Sequence, residues 1–241
     1  MALQLTSISR YIALACLGAI FCPNSRAQQT QFQFLPEGDA YYRISPTVRL
    51  DFQAKETREA GDLTQAEIGP SLDFFVKPLI SLEKIPIFDP DRAKSRLLQL
   101  FVGYRYVPSP GEPPVERMEV GFISNFPLPA KILLSDRNRA DLDWSSGGFK
   151  WRYRNRPKFQ RTISLGSYKP APYVSAEFFY QSQYQKWSTT ALYADVLFPV
   201  GKRFSLDAYY EHQNLTGKRP NQQLNQLGVI LNIYLGREKE Q

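Results

Sequence analysis

Residues 148–159 read GFKWRYRNRPKF, with Lys150, Arg152, Arg154, Arg156 and Lys158 at every second position and Phe149, Trp151, Tyr153 and Phe159 between them. On a helix each two-residue step turns about 200°, which would scatter those cations around the cylinder, whereas a strand sets all of them on one face. The stretch is predicted as a strand with one cationic and one aromatic face. The same period governs most of the chain. In residues 42–54, Arg43, Arg49, Asp51 and Gln53 oppose Ile44, Val48, Leu50 and Phe52, and in 66–76, Glu67, Ser71 and Asp73 oppose Ile68, Leu72 and Phe74. Further segments of this kind are predicted at 98–107, 115–125, 131–143, 148–159, 173–183, 187–198, 203–213 and 224–235. The expectation is an all-β chain of about ten antiparallel strands, with eight to twelve allowed, no long helix and no second domain.

Alternation alone does not say which face is inside. The predicted strands run about ten to thirteen residues, against roughly 5 to 6 in soluble proteins and about 9 to 11 for a tilted strand crossing a bilayer. Ten such strands carry more large apolar side chains than the interior of so narrow a barrel can hold, so the apolar faces are expected outward, toward lipid. A lipid-facing Arg or Lys at mid-bilayer would cost about 2 to 4 kcal/mol, and the cations are therefore assigned to the lumen. Arg137, Arg139, Lys150, Arg152 and Arg154 share that inward register with Glu119, Asp141, Glu177, Asp207 and Glu211. Acids and bases paired across strands would form a salt-bridge ladder that fills and stiffens the barrel; the sharper reading is an eyelet that selects a small anionic solute. Outward aromatics near strand ends, among them Tyr104, Tyr106, Trp151, Phe178, Tyr180, Phe198 and Tyr210, suit interfacial girdles.

The first residues have the layout of a secretory signal: Arg10, an apolar run over 11–21, then Ser25-Arg26-Ala27 as a small-residue cleavage site. Residues 1–27 are expected to be removed, with 28–40 as an N-terminal periplasmic segment, 41–236 as the barrel and 237–241 as a tail. Cys16 and Cys22 both lie in the signal, so no disulfide framework is expected. The signal holds Arg10 and Arg26 and no acid, which lowers the formal charge of +7 to +5. No Lys/Arg block marks a nucleic-acid footprint, so nucleic acid is not expected as a partner. The connections differ in character. Residues 125–129 and 198–204 read as tight turns, and 108–114, 143–148 and 214–223 as longer, more polar loops on the opposite side, with both termini on the side of the tight turns. Residues 78–95 are too long for a short turn and read as a flap or two additional short strands.

The closing strand QLGVILNIYL resembles, through Gln226, Gly228, Leu231 and Ile233, the signal read by the bacterial barrel-assembly machinery, which is the partner it implies. Residues 132–235 are similar to the family known as domain of unknown function 2490, on LLSDRNR with Arg137 and Arg139, WRYR with Arg152 and Arg154, PYVSAEFFY with Glu177 and Tyr180, and FSLDAYYEHQN. That resemblance implies a barrel in the outer membrane of a Gram-negative bacterium, in contact with its lipid bilayer, and supplies no activity. An outer-membrane lipid hydrolase would need a Ser two residues from its His; His212, the one histidine, has Asn214 and Tyr210 there, and no enzyme is expected. One His and no mature Cys leave no usual zinc set, and neither metal nor cofactor is expected. The expected function is a narrow channel or a structural and interaction barrel with a charged lumen. The alternatives are a soluble periplasmic barrel or sandwich that binds a ligand, and the lipid hydrolase.

Overall fold

The structure, a computed structural model, describes residues 30–76, 87–217 and 222–236. The signal, both cysteines and the C-terminal tail lie outside the described residues. Eleven strands close into one barrel: β1 (Thr30–Ser45), β2 (Val48–Glu59), β3 (Asp62–Val76), β4 (Leu98–Ser109), β5 (Glu112–Leu128), β6 (Ile132–Ser145), β7 (Gly148–Arg161), β8 (Ala171–Gln181), β9 (Lys186–Val200), β10 (Phe204–Leu215) and β11 (Gln222–Leu235). Each strand pairs antiparallel with the next, and β1 closes on β11 in parallel, from Thr30 opposite Gln223 to Tyr42 opposite Leu235. Closure gives every strand a partner on both sides and leaves no edge strand.

The all-β barrel is as expected, its eleven strands fall within the eight to twelve allowed, and it differs from the ten segments read by one added strand and a parallel seam. The difference has one source. Residues 42–54, which alternate without interruption in the sequence, bend at Pro46 and Thr47 into a hairpin that sets Arg43 opposite Arg49. A two-residue turn by itself would reverse the phase, but the register shift between Arg43 and Ser45 restores it, so alternation continues through the hairpin and conceals it. Residues 30–40, expected as a periplasmic segment, form most of β1 and bond to both β2 and β11. With an odd strand count the two ends of the barrel chain separate. Leu235 finishes beside Tyr42, at the end that carries the β1–β2 hairpin and the β9–β10 turn, and Thr30 begins at the end that carries the loops after Ser109 and Ser145.

The two faces are segregated opposite to a soluble protein. Phe52, Leu100, Val120, Phe122, Val174 and Leu192 stand exposed on the outside, whereas Arg49, Asp73, Arg105, Glu119, Asp141 and Glu177 are buried inside. Tyr153, Tyr180 and all three tryptophans, Trp144, Trp151 and Trp187, gather on the outer surface of β6–β9 near one barrel end, with Trp151 and Tyr180 stacked at 5.5 Å. The interior packs small apolar sets between its charges: Phe179, Ala191, Tyr193 and Tyr209 form one, and Ala171, Tyr173 and Leu197 another.

At Gly121 in β5 the neighbouring strand lies too close for any side chain. A Cβ there would sit 2.1 Å from the Asn138 carbonyl oxygen and 2.7 Å from the Phe101 ring. Gly121→Ala is expected to destabilise the barrel by about 1 to 3 kcal/mol, the usual cost of overpacking. A lower urea midpoint for the refolded variant checks this, and an unchanged midpoint would mean that β5 and β6 part at no cost.

Candidate functional site: the charged lumen and its plug

Alternation along β5–β8 turns one acid or base per two residues inward, and the cross-strand register brings them together. Glu119 lies opposite Asp141, Asp141 opposite Arg152, and Arg139 opposite Arg154. Two buried carboxylates organise the result. Asp141 binds Arg139 at 2.7 Å and Arg152 at 2.6 Å, with Arg154 at 3.8 Å. Glu177 binds Arg154 at 2.8 Å and Arg137 at 3.0 Å and accepts the Tyr193 hydroxyl at 2.8 Å. Both acids have 0% exposure, so each survives burial only because several cations surround it. Glu119 joins the network to β4 through Arg139 at 3.1 Å and Arg105 at 3.7 Å. Toward the barrel mouth Arg117 bridges Asp143 at 2.7 Å and Glu67 at 3.2 Å.

Seven of the ten ladder residues read from the sequence therefore meet in one network: Arg137, Arg139, Arg152, Arg154, Glu119, Asp141 and Glu177. Lys150 does not. It is exposed at the rim, opposite Asp143, because β7 begins only two residues earlier. Asp207 and Glu211 face inward but stand apart from the arginines. Asp207 accepts the Tyr173 hydroxyl, and Glu211 accepts the Gln213 amide at 2.5 Å. Farther down the cationic row, Arg156 lies 3.7 Å over the Tyr193 ring and Lys158 lies 4.9 Å from the Tyr173 centroid. Of the closing-strand residues, Gln226 and Gly228 point inward, Gly228 against the Tyr209 ring, and Leu231 points outward. His212 bonds Asn225 through Nδ1 at 2.8 Å, and Asn225 also accepts the Tyr210 hydroxyl.

A second cluster was not read from the sequence. Arg49 binds Asp73 at 2.7 Å and also binds Asp91, which belongs to the β3–β4 connection. Residues 87–97 of that connection fold into the barrel end. Phe88 packs against Ala171, Tyr173 and Leu197 and meets the Tyr234 ring edge-on at 6.0 Å, and Lys94 donates to the Phe88 carbonyl at 3.1 Å. Asp89 shapes the segment by accepting the backbone N–H groups of Lys94 at 2.9 Å and Ser95 at 2.7 Å. Burial, reinforced by the Asp91 carboxylate, raises the Asp89 pKa above its ordinary value, and burial lowers that of Lys94. The sequence signal was present in FDPDRAKS, where two acids flank a proline inside an overlong connection, but no local rule names Arg49 as the partner.

Between plug and ladder a cavity of about 410 Å³ remains. Asp39, Gln160, Asp195 and Asp207 line it, each with at least one side-chain oxygen that has no hydrogen-bond partner among the described residues. Lys94 and Lys158 line it as well, the first donating to the Phe88 carbonyl and the second set over the Tyr173 ring, so groups of both signs face the cavity. Among the described residues no His, Cys, Asp and Glu group has the arrangement of a metal site.

Residues 92–224 match the model of the family described as protein of unknown function, DUF2490. The match covers more than half of the chain, from the inner part of the plug to the start of β11. No curated protein matches the sequence.

Proposed function

We propose that this chain, which belongs to the DUF2490 family, works as a sealed β-barrel in the outer membrane of a Gram-negative bacterium, delivered there by the barrel-assembly machinery. One observation carries the reading: large apolar residues cover the outside of a closed barrel and buried ion pairs fill the inside. In water that arrangement would expose a greasy surface far larger than monomeric soluble proteins tolerate, whereas a bilayer favours it. It argues equally against a soluble binding protein, which needs the faces reversed.

The ladder and plug favour a structural or interaction barrel over a diffusion pore. Arginines that share Asp141 and Glu177 have little charge left to attract a passing anion. The anion-channel reading keeps one point in its favour, the continuous row of Arg152, Arg154, Arg156 and Lys158 along one wall. The lipid-hydrolase reading finds Asn225 and Tyr210 around His212 and, among the described residues, no serine bonded to it.

The test is expression of the chain with its own leader in a Gram-negative host. The protein should sediment with outer-membrane density, require detergent for extraction, and migrate faster on a gel unheated than boiled. Recovery in the periplasmic fraction without detergent would overturn the assignment.

A further inference from the structure

At mid-strand the outer face of β6 and β7 departs from the apolar pattern. In β6 the outward residues run Ile132, Leu134, Asp136, Asn138, Ala140, Leu142 and Trp144, and in β7 they run Phe149, Trp151, Tyr153, Asn155, Pro157 and Phe159. Asn138 lies directly opposite Asn155, and this pair falls at the middle of both strands. Other outward charges, such as Glu56, Arg58, Glu116 and Lys186, sit near strand ends, where interfacial water reaches them. With the barrel in a bilayer, the mid-strand Asn138–Asn155 pair would lie at the depth that offers neither water nor headgroups, with Asp136 beside it.

Their hydrogen bonds are incomplete in a specific way. Asp136 accepts from the Asn138 amide at 3.0 Å and from the Asn155 amide at 2.8 Å. The Asn138 carbonyl oxygen accepts from the Tyr153 hydroxyl and from Asn155 at 3.1 Å. Among the described residues, one Asn138 amide hydrogen and the Asn155 carbonyl oxygen remain unused. A donor and an acceptor thus stand side by side at one height, one on each of two adjacent strands. Phe122 of β5 stands opposite Asn138 and Phe178 of β8 opposite Asn155, so aromatic rings flank the polar pair on both sides, while Ser124 and Pro157 oppose Asp136.

We propose that this patch is the interface of a two-fold dimer with a second copy of the same chain, an inference that rests on the outer-membrane reading. All copies insert in the same direction, so a two-fold axis must run along the membrane normal and every residue meets its partner copy at its own depth. In such an isologous contact residue i meets j while j meets i. Asn138 of each copy then donates its free amide hydrogen to the Asn155 carbonyl oxygen of the other, twice over, and a polar contact of this kind is favoured where the alternative partner is hydrocarbon. The depth excludes a lipid headgroup or a soluble ligand as the occupant. The equal supply of donor and acceptor favours a second copy over a partner of one hydrogen-bonding sense.

Ala140→Cys, placed beside the patch in the mature chain, is reconstituted in phospholipid vesicles and treated with a short bismaleimide. The expected product has twice the monomer mass, and adding Asn138→Leu and Asn155→Leu reduces its yield at least tenfold while the heat-dependent gel shift persists at the same temperature. A network that only ties β6 to β7 would instead lower that temperature and leave the crosslink unchanged, which overturns the proposal. So does a crosslinked band of any other size from whole outer membranes, which would assign the patch to a different protein. Where the double variant does not fold, the mass of the unaltered chain in detergent micelles decides: two chains per micelle support the dimer and one overturns it. Solubility of the unaltered chain without detergent, or absence of its heat-dependent shift, overturns the outer-membrane reading and the dimer with it. A folded, heat-modifiable, monomeric barrel overturns the dimer alone.

Discussion

Asp141→Leu is expected to lower the stability of the folded barrel by about 3 to 5 kcal/mol, the range seen when one partner of a buried ion pair is removed. The side chain has 0% exposure and holds Arg139 and Arg152 directly, with Arg154 at 3.8 Å. Leucine fills much of the volume and returns none of the charge. Arg139 keeps Glu119 at 3.1 Å and Arg154 keeps Glu177 at 2.8 Å, but Arg152 loses its only ion pair among the described residues. The double variant Asp141→Leu/Arg152→Leu should therefore recover part of the loss, because it removes the stranded cation together with its partner. Urea unfolding of the refolded chains in detergent, followed by the gel shift, gives both numbers. A loss below about 1 kcal/mol for the single variant, typical of exposed pairs, would show that water screens the lumen throughout.

The second large effect concerns conductance. The native chain in a planar bilayer is expected to stay silent, and replacing residues 87–95 by a Gly/Ser segment of equal length should produce discrete current steps. Phe88 and Asp91 anchor the plug, one in the apolar set of Ala171, Tyr173 and Leu197, the other on Arg49. Removing both opens the end of the barrel to the cavity of about 410 Å³ behind them. Should steps appear, Arg152→Glu and Arg154→Glu in the same background should shift ion preference toward cations by reversing the sign of the charged row. Steps from the native chain would refute a sealed lumen. Silence from a plug-replaced barrel that still shows its gel shift would place the seal in the arginine–carboxylate network instead.

The family resemblance and the faces of β3–β11 were legible because each depends on local order along the chain. Period two assigns Arg137, Arg139, Arg152, Arg154, Glu119, Asp141 and Glu177 to one side of the sheet with no knowledge of neighbours. The same rule sets Asp136, Asn138 and Asn155 of LLSDRNR and WRYRN on the outward side, but only the register of β6 on β7 brings the three together. Lys150 shows the limit in the other direction: its parity is right, but its depth depends on where β7 starts.

What the sequence by itself determined was the class of fold and which residues share a face, since side-chain direction along a strand follows from backbone geometry alone. Only the tertiary structure decided the strand number, the parallel seam of β1 with β11, the pairing of Arg49 with Asp91 and the isolation of Asp207 and Glu211 from the arginines. Those depend on register between strands and on a connection folding back into the barrel. Both are set by contacts between residues far apart in the chain, and the β1–β2 turn, whose phase change is offset by the register shift between Arg43 and Ser45, leaves no mark of them in the alternation.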